Sequence, residues 1–184
     1  CYKNGSLTRE AIRDLCGVKT WSAYNELMRR TPAGNQGHIG FYIKEPEITP
    51  PILKTGTFRF LPDGQRTTAF APEVDARAVV AGQFLSMRLH GANVGLQPTS
   101  ILATGGASVD RGILRVMSDV FGVPVFTGEL PNSAALGAAY RARHGWVCRQ
   151  QGKFVPFAEV VAEAPPFQKT MEPDAAAHAV YSAM

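Results

Sequence analysis

The sequence predicts an α/β domain in which helices pack on a mixed, partly parallel sheet. Three observations predict it. Residues 57–144 run extended, helix, strand, helix, strand, helix. The apolar run Ile101-Leu102-Ala103, bounded by Ser100 and Thr104, has the character of a short strand buried on both faces, as in sheets covered by helices. The segments on either side of it repeat apolar residues with a helical period. With 184 residues, 45% hydrophobic and 18% charged, the chain can bury a core as one large domain or two small ones.

The elements follow in order. Leu7, Ala11, Ile12 and Leu15 predict a first helix, ended by Gly17 where a left-handed terminus favours glycine. Trp21, Tyr24, Leu27 and Met28 share one side of a second helix over residues 21–30, capped by Thr20 or Ser22. Residues 31–40 are rich in turn formers and predict a loop, expected to be mobile. Residues 38–43, 57–61 and 67–70 read as extended, the last two flanking the Asp63-Gly64 turn. Pro72 opens a long helix, with Glu73 and Asp75 at its positive end, Val74, Ala78, Ala81, Leu85 and Leu89 on one face, and Gly91 at its end. After the strand at residues 101–103, Val109, Ile113, Val116, Met117 and Val120 mark an amphipathic helix ending near Gly122. Val123-Pro124-Val125-Phe126 is a second strand, its proline suited to an edge or a start. Asn132 or Ser133 then caps a helix of small residues to about His144, able to approach a sheet or helix closely. A weak helix covers residues 157–164, and residues 165–184 are expected to be loosely ordered.

Composition narrows the function classes. The net charge of +4 comes from scattered basic residues, with Arg141, Arg143, Arg149 and His144 only a loose patch, so a solvated surface is favoured over a nucleic-acid face. No apolar run approaches the roughly 20 residues of a membrane span. Cys1, Cys16 and Cys148 are odd in number and far apart, which suggests neither a disulfide framework nor zinc, and a reducing compartment. Opening on Cys1, the chain is expected to begin inside a longer polypeptide.

The chemistry concentrates at residues 101–142. A buried strand runs straight into Gly105-Gly106-Ala107-Ser108, and a helix follows at once, so main-chain N–H groups and a positive helix end converge where a ligand can sit. Crevices beyond strand ends are the ligand sites of open α/β sheets. The run is neither GxGxxG nor GxxxxGK[ST], which excludes the dinucleotide fingerprint and the P-loop. A merely structural strand-to-helix turn remains open.

TGGAS, a helix, DVFGVPV and SAALGAAYRA, in that order, resemble the C-terminal signature of the FGGY carbohydrate kinases. CYKNGSLTREAIRD, the Trp-Ser of TWSAY, the GN-x-G-x-x-GFY loop at residues 34–42, EITP at 47–50 and VDARAVVAGQFLSMRLH extend the similarity to about Ala164. They are similar to the family's animal-type xylulose kinase branch. The resemblance implies a ribonuclease-H-like, actin-like ATPase fold, and a single C-terminal nucleotide lobe over residues 1–184 with its ordered core at about 1–164. It further implies a cytoplasmic enzyme that phosphorylates D-xylulose with ATP. The sugar-binding lobe and the general-base Asp belong upstream, so no catalytic residue is assigned here, and the fragment alone is expected to be inactive.

Carried over by position, the ATP contacts are Trp21 beside the adenosine, Gly105, Gly106 and Ala107 through their backbone, and Asp110 where the family commonly has Asn. An Asp there accepts a hydrogen bond but cannot donate, and its charge repels phosphate. Trp21 also fits a core anchor. Mg2+ carried on ATP completes the expectation. Its protein ligands are unassigned, because Glu26, Asp119 and Glu129 read as surface or capping groups. The loop at residues 34–40 is expected to close over part of the site. Two alternatives stay open: a family kinase acting on glycerol, ribulose or gluconate, and a non-catalytic interaction or nucleic-acid-binding module.

Overall fold

In the computed structural model, which describes residues 2–128 and 132–184, alternating apolar residues and a tight turn build the first sheet. Cys1 and Glu129 lie outside the described residues. β1 (Ile39–Ile43) pairs antiparallel with β2 (Gly56–Phe60), from Ile39 opposite Phe60 to Ile43 opposite Gly56. Gly64, at φ +82°, turns the chain into the two-residue β3 (Arg66–Thr67). The predicted third strand stops there because the Thr68 carbonyl leaves the ladder and accepts from Arg59 Nη1 at 2.9 Å.

α1 (Ser6–Leu15), α2 (Trp21–Arg29) and α3 (Pro72–Asn93) follow the predicted helices, with Pro72 opening α3 and the Thr20 hydroxyl accepting from Ala23 N to cap α2. α3 is the central column, packed against α1, α2, α4 (Arg111–Phe121) and β1. A helix covered on several sides must be apolar around its circumference, so Ala76, Val79, Val80 and Phe84 are buried beyond the predicted stripe while Leu89 is exposed. The first turn of α3 also carries a buried ion pair. Asp75 accepts from Arg59 Nε at 2.7 Å and Nη2 at 3.0 Å, and from the Tyr42 hydroxyl. Paired and hydrogen-bonded in this way, the charge is tolerable in the core.

The second sheet is mixed. β4 (Ile101–Ala103) lies parallel to β5 (Val125–Thr127), and β5 lies antiparallel to β6 (Gln168–Met171). Leu102 is half exposed, so β4 is covered on one face rather than the two expected. α4 joins both cores: Val116 and Val120 face α3, and Leu114 faces Val125 and Met171. Val109, assigned by periodicity to the helix face, instead sits exposed in the 3-10 turn Gly106–Val109.

Three expectations are corrected. The tail at residues 165–184 carries β6 and α7 (Ala175–Ser182), capped by Asp174, and its Tyr181 is fully buried with its carbonyl accepting from Arg88 Nη2 at 2.7 Å. Its alanine-rich composition conceals two anchors, Met171 and Tyr181. The glycine-rich loop is packed: in Ala33–Gly37, residues Gly34 to Gly37 all adopt positive φ, and buried Asn35 donates to the Val74 carbonyl at 3.0 Å. α5 (Ser133–Gln151) extends beyond His144, followed by α6 (Phe157–Val160). Within α5 only His144 is buried, so its small side chains are left largely exposed.

Candidate functional site

The β4–α4 turn is built by glycine. Gly105 has φ +78° and ψ −170°, a region essentially confined to glycine. Its carbonyl accepts from Ser108 N at 3.0 Å and Ser108 Oγ at 2.7 Å, which closes the turn. Gly106 needs no special conformation, and a Cβ added there would meet nothing within 4 Å, so its main chain lies open. Ala107 packs inward against the main core.

Asp110 is the N-cap of α4. Its Oδ1 accepts from Ile113 N at 3.0 Å and from Asn25 Nδ2 at 2.9 Å. The carboxylate expected to face a nucleotide therefore already holds two donors, one closing its own helix and one tying α4 to α2. Trp21 opens α2 on this side. Its half-buried ring meets Tyr24 edge-on at 5.6 Å, with the Arg13 guanidinium 4.8 Å above it. The structure thus brings Gly105, Gly106, Ala107 and Asp110 into one turn, and Trp21 flanks the same core as Ala107.

Thr104 and Ser108 also line a cavity of about 110 Å³, together with Gly128, Ser133, Tyr140 and Phe167, and none of its described lining residues is charged. A larger cavity of about 550 Å³ lies between β1 and α3 and touches none of the predicted site residues. Sequence reasoning missed Asn25 and Ser108. Ser108, three residues after a glycine turn, carries the signal of a hydroxyl that closes a turn. Asn25 had no signal, because its partner is 85 residues away.

Other reactive groups are quiet. Burial pushes the Cys16 thiol up to about 11, and Sγ donates to the Pro72 carbonyl. Cys148 Sγ lies 3.5 Å from buried His144 Nε2. Glu26 pairs with Arg29 on the surface, whereas Asp119 is buried and accepts from Asp174 N at 2.9 Å. Among the described residues no group of three or more metal-binding side chains assembles. None of their helices is long and apolar enough to cross a membrane.

Fold and turn define a class, an α/β lobe with an open glycine turn at a strand end. The fold is that of solved sugar kinases. Over 99% of this chain and 36% of the other, it matches ligand-bound xylulose kinase from Lactobacillus acidophilus, with a TM-score of 0.77 at 20% identity. Gluconate kinase from the same organism matches with a TM-score of 0.76 at 20% identity over the same shares. The family model "FGGY family of carbohydrate kinases, C-terminal domain" matches residues 1–146, and the chain belongs to that family. It is 43% identical to xylulose kinase of Rattus norvegicus over 100% of this chain and 34% of the relative. It is 42% identical to xylulose kinase 2 of Arabidopsis thaliana over 86% and 31%. The chain therefore spans about a third of the length of these relatives.

Proposed function

We propose that this chain is the nucleotide-holding part of a cytoplasmic kinase that transfers the γ-phosphoryl group of ATP to D-xylulose, giving D-xylulose 5-phosphate. The observation that carries this reading is the uncovered main chain at Gly105-Gly106 beside the head of α4, in a chain 43% identical to a xylulose kinase. The solved glycerol kinase of Plasmodium falciparum, matched with a TM-score of 0.60 at 14% identity, holds ADP. The residues fit the group. A nucleotide can press against Gly106 where any side chain would intervene, and Trp21 offers a ring beside α2. Asp110 serves by holding the turn and α2 together rather than by direct contact.

Phosphoryl transfer demands alignment and charge neutralisation more than covalent help. Mg2+ supplies part of that neutralisation when it arrives on ATP, held by phosphates and water. The sugar and the general base are held by the remainder of the enzyme, so this chain alone binds nucleotide without turnover. A kinase for another sugar or polyol is the second reading, favoured by the equally good fold match to gluconate kinase.

Thermal melts test the proposal. ATP-Mg should raise the melting temperature by several degrees, whereas D-xylulose should not, and xylulose-dependent ADP release should be absent. No shift with millimolar ATP-Mg overturns nucleotide binding, and turnover by the chain alone overturns the division of labour.

A further inference from the structure

The positive charge of the chain is gathered on one helix. Residues 132–158 hold four of its 19 basic residues, Arg141, Arg143, Arg149 and Lys153, and none of its 15 acidic ones, so the rest of the chain carries equal numbers of both. The net charge of +4 therefore resides on α5 and the loop that follows it. The two sides of α5 are used differently. Arg141, His144 and Cys148 close on that loop and on α6. The Arg141 guanidinium lies 5.3 Å above the Phe157 ring, and His144 meets the Phe154 and Phe157 rings edge-on. The His144 Nε2–H donates to the Val155 carbonyl at 2.7 Å, and Cys148 Sγ accepts from Val155 N at 3.4 Å.

The other side faces outward. Arg143, Trp146 and Arg149 follow at steps of three residues, which sets them about one turn apart on a single strip, and all three are exposed, Trp146 to 62%. Among the described residues Arg149 and Lys153 form no ion pair, and Arg143 reaches only Glu163, at 4.0 Å. An exposed indole between two guanidinium groups with donors to spare is the residue set that most often anchors protein interfaces. Trp supplies a large contact area, and Arg grips a carboxylate through two parallel hydrogen bonds. A single-stranded nucleic acid needs a series of free rings on which to stack, whereas Phe154 and Phe157 are already engaged by His144 and Arg141. A bilayer surface needs an apolar face opposite the cations, where α5 packs on its own loop instead. None of the predicted nucleotide contacts lies on this strip, and Arg149 stands beyond residue 146, where the family model ends.

We propose that this strip of α5 docks an acidic segment of a partner protein, with Trp146 as the anchor and Arg143 and Arg149 pairing its carboxylates. The surface is independent of the nucleotide reading above. Poly-L-glutamate is the probe, its binding to the chain followed by calorimetry at low salt. Arg143→Glu combined with Arg149→Glu should weaken it about tenfold or more. Lys19→Glu with Lys44→Glu, the same change in net charge elsewhere on the surface, should leave the affinity within about twofold. Trp146→Ala keeps the charge and should still weaken binding about tenfold, which long-range attraction alone does not produce. All of these variants replace exposed side chains and should melt as the wild type does. Absence of binding by the wild type, equal weakening by the two charge pairs, or full affinity in Trp146→Ala overturns the proposal. Oligothymidylate and phosphatidylserine vesicles are titrated at matched charge. If either binds more tightly than poly-L-glutamate and loses affinity on Trp146→Ala, the strip serves nucleic acid or lipid and the proposal falls.

Discussion

Adjacent glycines at the β4–α4 turn have different duties. Gly105 is required by conformation, because φ +78° with ψ −170° strains any L side chain. Gly105→Ala should lower stability by about 1–3 kcal/mol in urea denaturation. Gly106 is free of that constraint and has space around it. Gly106→Val should leave stability within about 0.5 kcal/mol, as exposed substitutions do, yet abolish ATP binding by calorimetry. Full ATP affinity in that variant would mean the nucleotide does not approach this backbone. Asp110 separates in the same way. Asp110→Ala removes the cap of α4 and should cost about 1 kcal/mol, while Asp110→Asn keeps an acceptor oxygen and should be nearly neutral. Since the Asn also removes a negative charge near bound phosphate, its ATP affinity should equal or exceed that of the wild type.

At the scale of elements, one carboxylate pins the segment leading into α1. Burial pushes the Glu47 carboxyl up, but hydrogen bonds from Asn4 N, Lys3 N, Asn4 Nδ2 and Ile48 N outweigh it and hold the group at about 2. A carboxylate lowered by folding contributes stability that is fully present above the ordinary glutamate range and is lost as pH falls through about 2. Denaturation midpoints should therefore decline between about pH 5 and 2, and Glu47→Gln should be less stable at neutral pH with a flatter acid limb. An unchanged acid limb in that variant would remove Glu47 from the account. Local signals made α4 legible: periodicity, Asp110 at one end, and Gly122 at φ +69° at the other. The glycine pair was legible for the same reason. The facing of α1 was not, because Gln83, 74 residues away, decides which side turns inward, and a periodicity count treats Arg9 as a surface residue. Asn25 and α5 escaped similarly, one through a distant partner and the other because small residues permit close packing without requiring it.

For the molecule as a whole, the tail is the sharpest test of where the domain stops. The family model ends at residue 146, and composition predicts little order beyond Pro166, yet β6 pairs with β5 and α7 packs against α4. Tyr181 ties these parts together. Its ring is fully buried, its hydroxyl accepts from Arg77 Nη1 at 3.3 Å, and its carbonyl accepts from Arg88, which also donates to the Val120 carbonyl at 2.8 Å. Two arginines from α3 thus donate to the tail, Arg88 also to α4 and Arg77 also to Thr31 and the Met28 carbonyl. Tyr181→Ala should cost about 3–5 kcal/mol, the range for deleting a large buried aromatic. Deletion of residues 167–184 should cost more, because it also uncovers Met171 and leaves Arg77 and Arg88 without these acceptors. Total stabilities of single domains are about 5–15 kcal/mol, so the truncated chain should lose cooperative melting followed by circular dichroism. A truncated chain that melts cooperatively at the wild-type temperature would show that residues 167–184 are an appendage, and that the fold closes at α5 and α6 without them.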